Sequence, residues 1–184
     1  MSHNHKNMTT ITAPAVAGWL LLAMCNSAPA RAADNGCKTV FDAMSKVLVT
    51  PTHIYNTETA AFRKNKPMTN EGIYFGGAIY VLVGGKWRRS PMDAAAIAKQ
   101  EAENRRTGKY SCRYLRDEVV HGEAAAVYAS HSENEGTKAD ATTWISKSRG
   151  LPLRTEEDFG DQTSANHISI RYDYSGVHPP PGVQ

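Results

Sequence analysis

Hydrophobic and polar positions alternate most cleanly in HISIRYDYSGV, where Ile168, Ile170, Tyr172 and Tyr174 fall on one side of an extended backbone. His167, Ser169, Arg171 and Asp173 fall on the other, which predicts a strand with one dry and one wet side. Upstream, YSCRYLRDEVV and EAAAVYASHSE read as strands joined at His121-Gly122, a two-residue turn whose glycine supplies positive φ. KADATTWISKS and LPLRTEEDF follow as another pair, joined through Arg149-Gly150. These segments make a five-stranded antiparallel meander.

The first half changes period. Val40, Phe41, Met44, Val47 and Leu48 recur at spacings of three and four, predicting a helix over Cys37 to Val49, capped by Asp34 or Asn35 and stopped by Pro51. THIYNTETAAFRKNK then has strand composition and ends in a basic loop closed by Pro67. In GIYFGGAIYVLVGGKWRRS, Gly84-Gly85 reads as a hairpin turn and Gly76-Gly77 as a bulge or bend. Ser90, Pro91 and Asp93 open a second helix with a thin apolar face, which Gly108 stops. The order is helix, about three strands, helix, five strands, an α+β chain whose curved antiparallel sheet forms a half-barrel with two helices covering its concave face.

Residues 1–32 differ from the rest: Lys6 precedes an apolar run over Ile11 to Met24, and Ala30-Arg31-Ala32 offers a small-x-small site. This pattern predicts a secretory signal cleaved after Ala32, a periplasmic destination, and a single domain over 33–184. The run is shorter than the roughly 20 residues needed to cross a bilayer. A lipoprotein signal ending at Cys25 is the rival, disfavoured by the large Met24 before the cysteine. Cleavage removes Lys6, Arg31 and Cys25, leaving a nearly neutral chain with no pull toward nucleic acid and two cysteines, Cys37 and Cys112. In an oxidising compartment such a pair predicts a disulfide. Closing a loop of roughly 75 residues is worth about 4.5 kcal/mol in the chain-entropy model.

Candidate chemistry is sparse. The five histidines beyond residue 32 form no His-x-His or His-x-x-x-His pair, so no metal is expected, and no nucleophile elbow, phosphate loop or dinucleotide fingerprint calls for a cofactor or an enzyme. The acidic runs Glu133 to Glu135 and Glu156 to Asp158 read as solvated. Lys64, Lys66, Lys86, Arg88 and Arg89, with Trp87 among them, form a basic surface suited to anionic headgroups or an acidic partner, or simply a solvated hairpin tip.

TTWISKSRGLPLR and RYDYSGVHPPPG, with the leader and the order of elements, resemble the LolA/LolB superfamily of periplasmic lipoprotein carriers and MucB/RseB-type sensors. The resemblance implies a half-barrel closed by helices around an apolar cavity that holds a hydrophobic ligand such as a lipid or acyl chain, with transient membrane contact and no chemistry. Trp144, Ile145, Leu151, Leu153, Ile168, Ile170, Tyr172 and Tyr174 are the candidate cavity residues, and each also serves as core. A Cys37–Cys112 bridge would pin the first helix and hinder its opening as a lid. The alternatives are a scaffold module of the same fold that meets another envelope protein, and a small hydrolase or inhibitor on a cystatin-type fold.

Overall fold

The computed structural model of the protein describes residues 34–60, 66–134, 136–159 and 166–183. The leader with Cys25, and Lys64 in the basic loop, lie outside them. Helix α1 spans Asp34–Val47 and contains both expected caps, so it starts a turn earlier than its apolar stripe does. Four strands follow, β1 (Thr52–Ala60), β2 (Met68–Phe75), β3 (Ala78–Val83) and β4 (Lys86–Arg89). Helix α2 (Ala94–Thr107) precedes β5 (Lys109–Val120), β6 (Glu123–Asn134), β7 (Thr137–Ser146), β8 (Pro152–Phe159) and β9 (Asn166–Asp173). The fourth early strand exists because Gly76-Gly77 is a hairpin turn rather than a bulge. Both glycines take positive φ, 58° and 80°, matching Gly84-Gly85 at 58° and 75°, the type I′ pattern of a two-residue hairpin turn.

All nine strands join one antiparallel sheet in the order β4-β3-β2-β1-β9-β8-β7-β6-β5. Two meanders, one from each half of the chain, are sewn together where β1 pairs with β9 from His53↔Asp173 to Ala60↔Asn166. The result is a curved, half-barrel-like antiparallel sheet with the helices on one side. β5 carries a bulge between Tyr114 and Arg116, and β7 and β8 slip register between Trp144 and Ile145. Bulges of this kind add twist and bend.

The two sides of the sheet can be assigned from contacts. On the helix side, α1 delivers Val40 and Ala43 onto Ile145, with Met44 and Tyr128 packed beside them. The Tyr172 hydroxyl lies 3.9 Å from the Met44 sulfur. The Cys37–Cys112 disulfide ties α1 to β5, and Phe41 meets Tyr110 edge-on at 5.2 Å. The outer side carries two further clusters. Val127, Ala125, Trp144 and Leu153 form one, and Ile73, Ala78 and Tyr80 form the other, roofed by Val177 and Val183 of the C-terminal tail. The proline-rich tail therefore joins no strand and instead covers β2 and β3, with Pro180 buried.

Helix α2 is held lightly. Asp93, not Ser90, is its N-cap, accepting from the Ala96 amide at 2.8 Å, because Ser90 is occupied by the Met92 amide. Only Ala94 of the helix is buried. Arg105 reaches α1 through the Ser45 hydroxyl at 3.1 Å and lies 4.7 Å from the Phe41 ring centre.

Gly36 sits where α1 crosses β5: a Cβ there would come 2.8 Å from the Cys112 carbonyl oxygen. Alanine raises helix propensity by about 1 kcal/mol, but crowding fixed backbone costs about 1–3 kcal/mol. Gly36→Ala should therefore lower stability by about 1 kcal/mol in a denaturant titration. A gain would mean that α1 can shift away from β5.

Candidate functional site

The helix side of β1, β8 and β9 is built by alternation around Tyr172. Ile54 faces Tyr172 across the β1–β9 ladder, Asn56 faces Ile170, and Glu58 faces Ile168; Thr155 and Glu157 continue the same side on β8. Tyr172 is buried, with its hydroxyl 3.5 Å from that of Thr155, and burial pushes its pKa up to about 12. Ile54, Ile168 and Ile170 are only half-buried, although they face the side on which both helices lie. Strand residues of this kind are normally sealed when a helix packs tightly above them. Of the two helices on that side, α2 buries a single residue, Ala94.

Polar groups border this apolar strip. Burial raises the pKa of the Glu157 carboxyl, and the Glu101 carboxylate of α2 adds to the effect; the same two causes, in the same order, raise that of Tyr74. The Asn56 side-chain oxygen is buried without a hydrogen-bond partner. The strip is therefore apolar along β9 and accepting at its margin, which suits a guest whose chain is greasy.

Of the residues singled out from the sequence, Ile145, Ile168, Ile170 and Tyr172 share the helix side. Trp144 faces the other way, since neighbouring strand residues point to opposite sides. Its indole N–H donates to Glu118 at 2.5 Å, and that bond, then the Arg116 guanidinium, hold the Glu118 carboxyl below its usual pKa. The Arg154 guanidinium lies 4.8 Å from the Trp144 ring. Leu153 packs with Trp144 on the outer side, and Leu151 is buried in the β7–β8 turn, its carbonyl accepting from the Ser146 amide at 2.8 Å. Tyr174 lies past the end of β9 and donates to the Pro152 carbonyl at 2.6 Å. In the basic group, Lys66 is exposed just before β2, while residues 86–89 alternate across β4, so Trp87 turns outward into the Tyr80 cluster and Lys86 and Arg88 turn the other way.

What the sequence did not reveal is a belt across the outer side. Trp87 meets His53 edge-on at 5.9 Å, and His53 stacks on Tyr55 at 4.1 Å. The Arg171 guanidinium lies 3.8 Å from the Tyr55 ring, and Arg171 is registered directly opposite Arg154, which covers Trp144. The alternation of β9 placed Arg171 on the wet side, but partners on other strands depend on register, which no local pattern encodes.

His167 illustrates the same face. Its Nδ1 is 2.8 Å from Asp158 and its Nε2 2.8 Å from Glu156, an arrangement in which both nitrogens can donate only in the imidazolium form. The hydrogen bond that His167 donates to Asp158, then the charges of Asp158 and Glu156, raise the His167 pKa against a desolvation penalty. A raised folded-state pKa stabilises fully below the ordinary value of about 6.5, and this is lost as pH rises through the folded value. His167→Gln should thus cost up to ~0.5 kcal/mol at pH 5.5 and nothing at pH 9, the small size reflecting a half-exposed ring. Equal losses at both pH values in paired denaturant titrations would show that the charge is not what matters.

No protein-family model matches the chain, and no curated protein does. Among solved structures it is similar to LprF from Mycobacterium bovis at 12% identity and a TM-score of 0.40, covering 78% of this chain and 95% of that one. It is similar to MucB in complex with MucA(peri) at 13% identity and a TM-score of 0.46, covering 79% of this chain and 57% of that one. A LolA superfamily protein from Nitrosomonas europaea follows at 9% identity and a TM-score of 0.30, covering 79% and 95%. At such distances the likeness concerns architecture, and function has to come from this chain's own geometry.

Proposed function

We propose that this is an exported, non-enzymatic binding protein of the cell envelope, periplasmic after cleavage at Ala32, that holds a hydrophobic group such as a lipid or acyl chain against the helix side of its sheet. The observation that carries this reading is the half-buried row of Ile54, Ile168 and Ile170 on the helix side of the sheet, where α2 buries only one alanine. Removing that row from water on a guest is worth about 25 cal/mol per Å² of apolar surface, with no chemistry required. Because α1 is tied to β5 by the disulfide, the guest enters past α2.

Native mass spectrometry of protein purified from the periplasm should show co-purifying lipid. Ile168→Glu with Ile170→Glu should abolish it and leave near-ultraviolet circular dichroism unchanged, because half-exposed positions accept charge without unfolding. A lipid-free wild-type chain that also fails to take up a fluorescent fatty acid would overturn the reading in favour of a scaffold role.

A further inference from the structure

The outer side of the sheet, away from the proposed lipid strip, holds a second constellation. Arg154 and Arg171 are direct cross-strand partners. Like charges so placed repel, and sheets normally avoid them. Each is instead stacked on an aromatic ring, Trp144 and Tyr55 respectively, which holds the planar forks in place. Arg154 is bound to Glu156 at 2.5 Å, whereas Arg171 makes no ion pair among the described residues.

Arg171 also lines a hollow of about 210 Å³ where β8 and β9 meet the β5–β6 turn, with Leu153 and Val120 among its apolar walls. Its other charged walls are largely satisfied internally. Glu123 is gripped by Arg149, from Nε at 3.0 Å and Nη2 at 2.5 Å, and Asp173 accepts from the Ser175 amide at 3.0 Å. Arg171 and Asp173, two residues apart on the same face of β9, are the arginine and the carboxylate of the lining that make no ion pair among the described residues. The volume is below the range of drug-sized sites, so the guest is small.

We propose that this hollow is a binding site for a small carboxylate bearing one compact apolar group, with the carboxylate forked by Arg171 beside Arg154 and the apolar group against Leu153 and Val120. Bidentate pairing with a planar guanidinium favours a carboxylate, and a stacked fork loses little freedom on binding. The site does not depend on the lipid reading, since it is argued from Arg171, Leu153 and Val120, although Tyr172 of the helix-side row also lines the hollow.

The test is a titration of the full chain with N-acetyl-leucine, followed by NMR of the arginine Nε–H signals and the Trp144 indole N–H. Saturable shifts at Arg171, Arg154 and Trp144 are expected, with affinity at least tenfold weaker for acetate, which lacks the apolar group, and for N-acetyl-leucinamide, which lacks the charge. Arg171→Gln should weaken binding tenfold or more, and Arg171→Lys, which keeps the charge and loses the fork, should fall between. Arg171 is exposed, and an unchanged thermal midpoint confirms the fold. Equal affinity for the amide would overturn the carboxylate's role, equal affinity for acetate would overturn the hollow's, and no saturable shift would overturn the site.

Discussion

Replacing Cys37 and Cys112 by serine should lower stability by about 2–5 kcal/mol, with a fall in melting temperature on the order of 10 °C. The bridge closes a separation of 75 residues that includes β1 to β4 and α2, so most of the first meander lies inside the loop. Its loss frees the unfolded chain and also the native one, because α1 is attached to the sheet chiefly through β5. Among the remaining attachments are the Val40 and Ala43 contacts with Ile145, the Met44 contact with Tyr172 and the Phe41 edge on Tyr110. Scanning calorimetry of the oxidised wild type against the double serine variant checks this. A change below about 1 kcal/mol would show that α1 packs well enough without its tether. If the serine variant takes up a fluorescent fatty acid faster, α1 and α2 both gate the strip.

The second large effect is expected at Trp144. Truncating a buried tryptophan costs about 3–5 kcal/mol, and here the ring also fills the space over Val127, Ala125 and Leu153, accepts the Arg154 guanidinium on its face and donates to Glu118. Trp144→Ala should therefore unfold or nearly unfold the chain in denaturant, while Trp144→Phe, which keeps the face and loses the N–H, should cost about 1–2 kcal/mol. The contrast with Ile168→Glu and Ile170→Glu is diagnostic, because those changes are expected to spare the fold and remove the guest. Were Trp144→Ala to stay folded and lose lipid, the assignment of sides would be reversed. Urea titrations followed by far-ultraviolet circular dichroism measure both variants.

The strand content was legible where pattern is local. Alternation in β9 marked Ile168, Ile170 and Tyr172 as one row, and they are one row. Tyr174 dropped out because β9 ends at Asp173, and its hydroxyl is used to hold Pro152 instead. The Trp144-Ile145 pair could not both face one guest, a consequence of period two that composition alone does not display. Gly76-Gly77 shows the opposite limit: two adjacent glycines permit a bend, a bulge or a turn, and the strands on either side decide which.

The amino-acid sequence by itself determined a helix, strand and turn order, a pair of cysteines and an absence of familiar catalytic fingerprints, because propensity, periodicity and turn chemistry act over a few residues. Only the tertiary structure decided that β1 pairs with β9 and that Arg154 and Arg171 meet. Each of these depends on which distant residues fall into register, and that is settled by burying the largest apolar area over the whole sheet at once.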